Sequence, residues 1–323
     1  MDKGKVNGTG RKKILRDRIR ICACLFLALF LISGCIEQDN GPESAVKDSG
    51  DETAPESTPP ESDIPETPPE SDILETTEPP LPAADIIITV VYDNNPYNPE
   101  LTPEWGFSCL IEGCEKTILF DTGGNSTTLS RNMQKLGINP DKIDFVVLSH
   151  IHGDHVDGLP AVLSQNSDVT VFVPISFPFS FKEDVKNQGA DVAEVSTPVK
   201  ICENVYSTGQ MSGPPDEQSL ILRTDRGLII ITGCAHPGVA RIVKKAKDLL
   251  QDDILFVMGG FHLGDATSIR IREIISDFRD LGVLYAGSCH CTGEYAMELF
   301  EEEYGEYYVE IGVGTIIYVK DLV

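Results

Sequence analysis

The stretch "LSHIHGDHVDG", residues 148–158, places four metal-binding side chains within six positions: His150, His152, Asp154 and His155. Imidazole nitrogens and carboxylate oxygens are ligands of zinc, iron and manganese. His150 and His152 are separated by one residue, so in an extended segment both side chains point the same way. Gly153 lets the backbone turn sharply, which would aim the next ligands at a second metal. The stretch therefore predicts part of a two-metal site, whose remaining ligands must come from elsewhere.

A buried-looking strand precedes every histidine motif in the chain. "IDFVVLSH" at 143–150 is a nearly continuous apolar run of strand length. The other three histidines follow comparable runs, in "IITGCAHPG" (His236), "VMGGFHLG" (His262) and "AGSCHCTG" (His290). Loops at strand ends are where functional side chains gather. These later turns are therefore expected to supply the missing ligands.

The elements around these motifs predict an α/β layered domain over residues 85–323. A β-branched run, "DIIITVVYDN", comes first, and "GFSCLIEG" with "KTILFDTGG" indicates a hairpin. We expect later strands at 169–174, 205–208, 219–224 and 227–232, and helices at 126–136, 238–250, 268–280 and 293–302. "FPFSF" at 177–181 is interpreted as core packing, with a loop facing the substrate as the alternative.

"HIHGDH" resembles the HxHxDH signature of the metallo-β-lactamase superfamily, and "ILFDTG" resembles its first motif, an aspartate after a strand. The likeness covers nearly all of 85–323. The later turns "GCAHPG", "GGFHL" and "HCTG" are similar to those of one branch, the metal-dependent hydrolases related to 7,8-dihydropterin-6-methyl-4-(β-D-ribofuranosyl)aminobenzene-5′-phosphate synthase. The resemblance implies a four-layer αββα sandwich with a dinuclear metal site at one edge.

The resemblance also implies which residues bind which metal. His150 and His152 would bind the first ion. Asp154 and His155 would bind the second ion, together with the histidine of the last motif, His290.

The third ligand of the first ion stays open, because the interval 156–218 contains no histidine. His236 is favoured, since a neutral imidazole needs no deprotonation. The Cys234 thiolate is a competent zinc ligand too, but it could instead be a small buried residue beside the site. His262 as that ligand and a water molecule filling the corner are further alternatives.

Three residues are expected to contribute to catalysis: Asp154, Asp121 and His262. Asp121 is interpreted as a carboxylate that orients a ligand histidine or its loop. The alternative is an ordinary turn aspartate. His262 could coordinate metal, hydrogen-bond the substrate or support a ligand. Trp105 lies in a Pro- and Asn-rich loop that, in the resemblance, can flank the active-site mouth; a rim aromatic without a special role fits equally well.

The predicted cofactors are two divalent metal ions, with zinc expected first and iron or manganese as alternatives. The predicted activity is hydrolysis of a small-molecule ester, lactone, amide or phosphoester by a metal-bridged hydroxide. A pterin-related synthase is the first alternative, although an exported domain would not meet activated pterins, which are cytoplasmic. A non-catalytic metal- or ligand-binding lipoprotein is the second.

Residues 1–34 have the pattern of a lipoprotein signal peptide. A basic flank precedes "ICACLFLALFLI" at 21–32, which is shorter than the ~20 residues that a membrane-spanning helix needs. "LISGC" then resembles a lipobox, so Cys35 would carry the lipid and the domain would be exported to the outer face of the cell membrane. An uncleaved signal anchor is the alternative.

Residues 35–84 predict a disordered tether between the anchor and the domain. They are rich in Pro, Glu, Asp, Ser and Thr, and "PPESDI" occurs at both 59–64 and 68–73. No apolar run in this segment could offset its ordering entropy. The whole chain carries a formal net charge of −25, which argues against a nucleic-acid partner because such partners usually need a basic face.

Overall fold

The computed structural model describes residue 74 and residues 76–322. The predicted signal peptide, its Cys35 and most of the predicted tether lie outside these residues. Within the described part of the chain, no helix is both long and apolar enough to cross a membrane.

One sheet of seven strands forms one half of the domain. Its order is β13-β1-β2-β3-β4-β5-β6, antiparallel from β13 to β3 and parallel from β3 to β6. The strands are β1 (Ile87–Asp93), β2 (Phe107–Glu112), β3 (Ile118–Phe120), β4 (Phe145–Val147), β5 (Thr170–Pro174), β6 (Asp191–Val195) and β13 (Ile316–Tyr318).

A second sheet of six strands has the order β12-β11-β10-β9-β8-β7. Strands β10, β11 and β12 are parallel, and the others pair antiparallel. The strands are β7 (Val199–Cys202), β8 (Val205–Ser207), β9 (Leu220–Thr224), β10 (Gly227–Thr232), β11 (Ile254–Gly260) and β12 (Tyr285–Cys289).

The helices cover the outer faces of the two sheets. Apolar residues of both sheets pack against each other in one central core, as Ile88 and Phe120 do with Ile229 and Met258. Two further cores join each sheet to its own helices. These helices are α1 (Ser126–Leu136), α2 (Gly153–Val156), α3 (Leu159–Leu163) and α4 (Phe179–Asn187), and then α5 (Val239–Leu250), α6 (Ser268–Asp280) and α7 (Glu294–Tyr304). The predicted four-layer αββα sandwich is confirmed.

Local signals placed α1 correctly. The side chain of Asn125 accepts hydrogen bonds from the N–H groups of Thr127 and Thr128, which is a standard N-cap. Gly137 ends the helix with a φ of 72°, a left-handed conformation that favours glycine. Both features are readable from residue type alone.

Two local predictions were right in part. Core packing over 177–181 holds for Phe177, which is buried, and for Phe181, which packs against the same core, but not for Phe179, which begins α4 and is 76% exposed. The strand predicted over 143–150 is shorter, since β4 ends at Val147. Beyond it the N–H of Ser149 donates to the Asp121 carboxylate at 2.7 Å, so the chain leaves the sheet ladder where the site begins.

The end of the predicted tether packs on the domain. Leu81 and Ala83 are buried, and the N–H of Leu81 donates to Arg223 at 3.1 Å. Asp225 donates back to Leu81 and accepts from the N–H of Ala83. Contacts with the domain therefore begin before residue 85, because Leu81 and Ala83 pack against the second sheet.

Candidate metal centre

Five strand ends bring the predicted site residues together. Asp121 follows β3, residues 148–155 follow β4, and Cys234 with His236 follows β10. His262 follows β11, and His290 with Cys291 follows β12. Because β3 is parallel to β4 and β10 to β12 are parallel to one another, their carboxyl ends lie at the same edge of each sheet. The topology thus explains why motifs far apart in sequence meet.

One trio of potential ligands consists of His150, His152 and His236. One side-chain nitrogen of each lies within 4.8 Å of the others. The ring centroids of His150 and His236 are 4.6 Å apart, and those of His152 and His236 are 5.0 Å apart. His150 is buried while His152 is exposed, so an ion bound by this trio would be accessible from solvent.

A second trio consists of Asp154, His155 and His290. Asp154 Oδ2 is 3.3 Å from His290 Nε2 and 3.6 Å from His155 Nε2. The two Nε2 atoms are 3.2 Å apart. All six predicted ligands other than Cys234 therefore fall into two compact groups, three to each.

Hydrogen bonds at Nδ1 decide which nitrogen of the second trio is free. His155 Nδ1 lies 2.7 Å from an oxygen of the Asp121 carboxylate, and His290 Nδ1 lies 2.9 Å from Asn94 Oδ1. Both partners are acceptors, so each Nδ1 carries the proton and each Nε2 presents a lone pair. Two lone pairs 3.2 Å apart repel unless a cation or a proton lies between them.

The same reasoning applies to His150. The Ser149 hydroxyl donates to Asp121 Oδ2 at 2.7 Å, so it accepts from His150 Nδ1 at 2.9 Å. The opposite nitrogen, His150 Nε2, is buried and has no hydrogen-bond partner within residues 76–322. Burial and the neighbouring histidine rings lower the pKa of His150 to about 2, so the ring is neutral and its lone pair is available. An orphaned buried nitrogen is costly, and a metal ion would satisfy it.

His236 is held by a residue that sequence reasoning missed, Glu217. This buried carboxylate accepts the N–H groups of Cys234 and Ala235 on one oxygen, at 2.9 and 2.8 Å. On the other it accepts the backbone N–H and the Nδ1–H of His236, both at 2.9 Å. Burial raises the pKa of Glu217, but the hydrogen bonds from His236 and Ala235 and the nearby His150 ring together lower it to about 2. No pattern in "PDEQSL" pointed to this role.

Cys234 lies between the two trios. Its Sγ is 3.2 Å from His155 Nε2, and it groups with His150 and His155 within 4.8 Å. The structure thus brings two of the alternatives for the open position to the site: His236 lies with His150 and His152, and the Cys234 thiol faces both groups. The third, His262, groups with Cys234 and Cys291 instead.

Asp121 lies behind the ligands rather than among them. It is buried and accepts from the N–H and hydroxyl of Ser149 and from His155 Nδ1. Its φ of 55° is unusual for a residue other than glycine. This placement fits the predicted orienting role. Asn94, which does the same for His290, was missed because nothing marks it in the sequence.

A cavity of about 630 Å³ opens beside the second trio, against His290 and Cys291. Trp105 forms part of its wall, with its ring 4.9 Å from that of His290. Other lining residues include Tyr97, Met297, Tyr308, Glu294, Glu298, Glu301 and Glu310. This position at the cavity agrees with both interpretations of Trp105, a residue at the active-site mouth and a rim aromatic without a special role.

Comparison with known proteins agrees with the fold and the motifs. A sequence model of the metallo-beta-lactamase superfamily matches residues 102–267. The chain belongs to this superfamily. It is 31% identical over 280 residues to a Methanocaldococcus jannaschii protein named 7,8-dihydropterin-6-methyl-4-(beta-D-ribofuranosyl)-aminobenzene-5'-phosphate synthase, which covers 72% of this chain and 95% of that protein.

Solved structures show the same architecture. The crystal structure of Tm1679, described as a metal-dependent hydrolase of the beta-lactamase superfamily, is 26% identical with a TM-score of 0.61 and covers 72% of this chain and 98% of its own. Human tRNase Z, short form, is 14% identical with a TM-score of 0.50 over 72% of this chain and 98% of its own, which supports the fold alone.

Proposed function

We propose that the protein is a hydrolase that uses two divalent metal ions. The observation that carries the proposal is the set of imidazole nitrogens left free at the site. Hydrogen bonds to Ser149, Asp121, Glu217 and Asn94 fix the proton of four histidines on Nδ1, which leaves each Nε2 as a lone pair. Such an arrangement is unfavourable without cations and is what neutral histidine ligands require.

The proposed ligands are His150, His152 and His236 for one ion, and Asp154, His155 and His290 for the other, with Cys234 between them. Zinc is the first expectation, and iron or manganese would accept the same donors. Bound there, the ions would supply Lewis acidity and lower the pKa of a water molecule toward ~7.

The remaining residues position these groups and the substrate. Asp121, Glu217 and Asn94 hold ligand rings in one tautomer and one orientation. Trp105 would pack against an apolar part of a bound molecule. His262 is exposed, and its ring centroid is 4.5 Å from that of His236, so it could hydrogen-bond a substrate at the rim.

The charge of the cavity favours a neutral substrate such as an ester, lactone or amide. Four carboxylates line it, from Glu294, Glu298, Glu301 and Glu310, and no lysine or arginine among the described residues does. This field repels a phosphate group before it reaches the metals. Among the predicted substrate classes, the phosphoester is therefore the least favoured.

Metal analysis of the purified chain, with a panel of ester, lactone, amide and phosphoester substrates, tests the proposal. The informative variant is Asp154→Asn, and Asp168→Asn is the matched control, since Asp168 is an exposed loop aspartate remote from the site. We expect at least two ions per chain and hydrolysis in the wild type and the control, and one ion fewer together with loss of hydrolysis in Asp154→Asn. Metal binding without hydrolysis of any substrate would favour a non-catalytic binding protein.

A pterin-related synthase is the second candidate, supported by the relative from Methanocaldococcus jannaschii that carries a synthase name. The same protein should be incubated with a pterin phosphoester and an aminobenzene acceptor. A joined product would support the synthase, and release of free pterin alcohol without joining would support the hydrolase. Because the acidic cavity repels a phosphate group, we expect neither joining nor hydrolysis of a phosphorylated pterin.

We also propose that the protein is exported and anchored by a lipid on Cys35. The basic and apolar leader and the "LISGC" motif support this location. Fractionation of cells that express the wild type or Cys35→Ser is the test. Release of the variant into the soluble fraction supports a lipid anchor, whereas retention in the membrane supports an uncleaved signal anchor.

A further inference from the structure

A third group of metal-binding atoms lies next to the two trios. It consists of the thiols of Cys234 and Cys291 and an imidazole nitrogen of His262, all within 4.8 Å of one another. Both cysteines are free rather than joined in a disulfide. Cys234 therefore belongs to this group as well as to the group with His150 and His155.

The backbone around these residues is shaped for their close approach. His262 has a φ of 53°, a strained conformation for a residue other than glycine. A Cβ at Gly260 would lie 2.7 Å from Cys291 Sγ and 2.4 Å from the carbonyl oxygen of Gly233, so only glycine leaves room for the thiol. Thr292 ties the two loops together, because its hydroxyl accepts the N–H of Phe261 at 3.1 Å.

We propose that Cys234, His262 and Cys291 form a third metal position, which takes a thiophilic divalent ion such as zinc. Two thiolates and one imidazole are a zinc donor set, and three protein ligands leave a fourth position open to solvent or ligand. Tetrahedral coordination with Zn–S bonds of about 2.3 Å places the two sulfurs about 3.8 Å apart. The sulfurs of Cys234 and Cys291 lie within 4.8 Å of each other, so small side-chain rotations bring them to that distance.

Charge and access support the same position. Asp154, Asp121 and Glu217 already supply carboxylates around the centre. The two thiolates would add two negative charges, which would balance the charge of a third divalent ion. His262 is exposed and Cys291 borders the cavity, so an ion can reach this position from solvent. The third position shares Cys234 with the proposed two-metal centre, and His262 lies at the rim of that centre. Six other side chains are the proposed ligands of the two catalytic ions, so the number of bound ions tests the third position separately from hydrolysis.

Metal titration of the full chain tests this position. The protein is stripped with a chelator, kept under a thiol reductant and loaded with zinc, and bound metal is counted. We expect about three ions per chain in the wild type and about two in Cys291→Ser and in His262→Ala. The matched control is Cys114→Ser, which removes another partly exposed, free cysteine and should keep about three.

Cobalt loading gives a second readout that does not depend on activity. Thiolate ligands produce charge-transfer absorption in the near ultraviolet, and this band should weaken strongly in both Cys291→Ser and His262→Ala but not in Cys114→Ser. A wild type with about two ions, unchanged in Cys291→Ser, would overturn the third position while leaving the two-metal hydrolase intact. A Cys234–Cys291 disulfide, found by mass spectrometry in protein kept under reductant, would also overturn it.

Discussion

Replacement of Glu217 by glutamine should weaken both the loop after β10 and the metal site that it carries. The carboxylate accepts four N–H groups, two on each oxygen. Glutamine keeps one acceptor oxygen, so its amide faces the other two donors, both on His236. The backbone N–H of His236 then loses its acceptor, and its ring is pushed to the tautomer with the proton on Nε2.

Two routes give the same magnitude for this change. Leaving a buried donor without its charged partner costs about 1.5–3 kcal/mol. Independently, the pKa of Glu217 falls from 4.5 to about 2 on folding, which corresponds to about 3 kcal/mol. Since the pKa is depressed in the folded state, this contribution is present above pH 4.5 and is lost as the pH falls toward 2.

Urea unfolding of metal-free protein and zinc affinity by chelator competition measure the two effects. We expect the free energy of unfolding to drop by about 3 kcal/mol at neutral pH and zinc to bind about 10–100-fold more weakly at the His236 trio. Glu306→Gln, at an exposed glutamate, is the control and should change neither. Zinc affinity within about twofold of the wild type would refute the orienting role of Glu217.

Two further predictions concern packing and alkaline stability. Gly233→Ala should lower the free energy of urea unfolding by about 3 kcal/mol, because the new Cβ would lie 2.1 Å from Ser149 Oγ. Burial and the nearby Glu115 raise the pKa of Cys202 to about 12, above the usual 9.0. The folded thiol therefore keeps its proton while the unfolded thiol loses it, which lowers the free energy of unfolding of the wild type as the pH rises. Cys202→Ala lacks this effect. Between about pH 8 and pH 10 its free energy of unfolding should therefore fall by about 1.4 kcal/mol less than that of the wild type.

The predictions for Gly233→Ala and Cys202→Ala each have a control and an outcome that would contradict them. Gly264→Ala places its Cβ no closer than 3.6 Å to any atom and should be nearly neutral; equal effects of the two alanines would contradict the steric argument. For Cys202, unfolding is measured under reductant, and Cys202→Ala with the same pH dependence as the wild type would show that the thiol is not shielded.

Sequence patterns predicted most of the fold because their signals are local. Asn125 and Gly137 mark the ends of α1 by residue type, and apolar runs mark the strands. Core packing predicted for three phenylalanines holds for Phe177 and Phe181 but not for Phe179, because helix α4 turns that side chain to solvent. That orientation depends on the neighbouring strands and not on composition.

The sequence by itself determined the donors and the fold that gathers them: six histidines at strand ends, a HxHxDH motif and alternating strands and helices. Only the tertiary structure decided which nitrogens are free, because Asn94 contacts His290 and Asp121 contacts His155 across long stretches of chain. It also decided that Glu217 holds the loop of His236. Hydrogen bonds between distant segments leave no periodicity in sequence, so they appear only when the sheet edges bring those segments together.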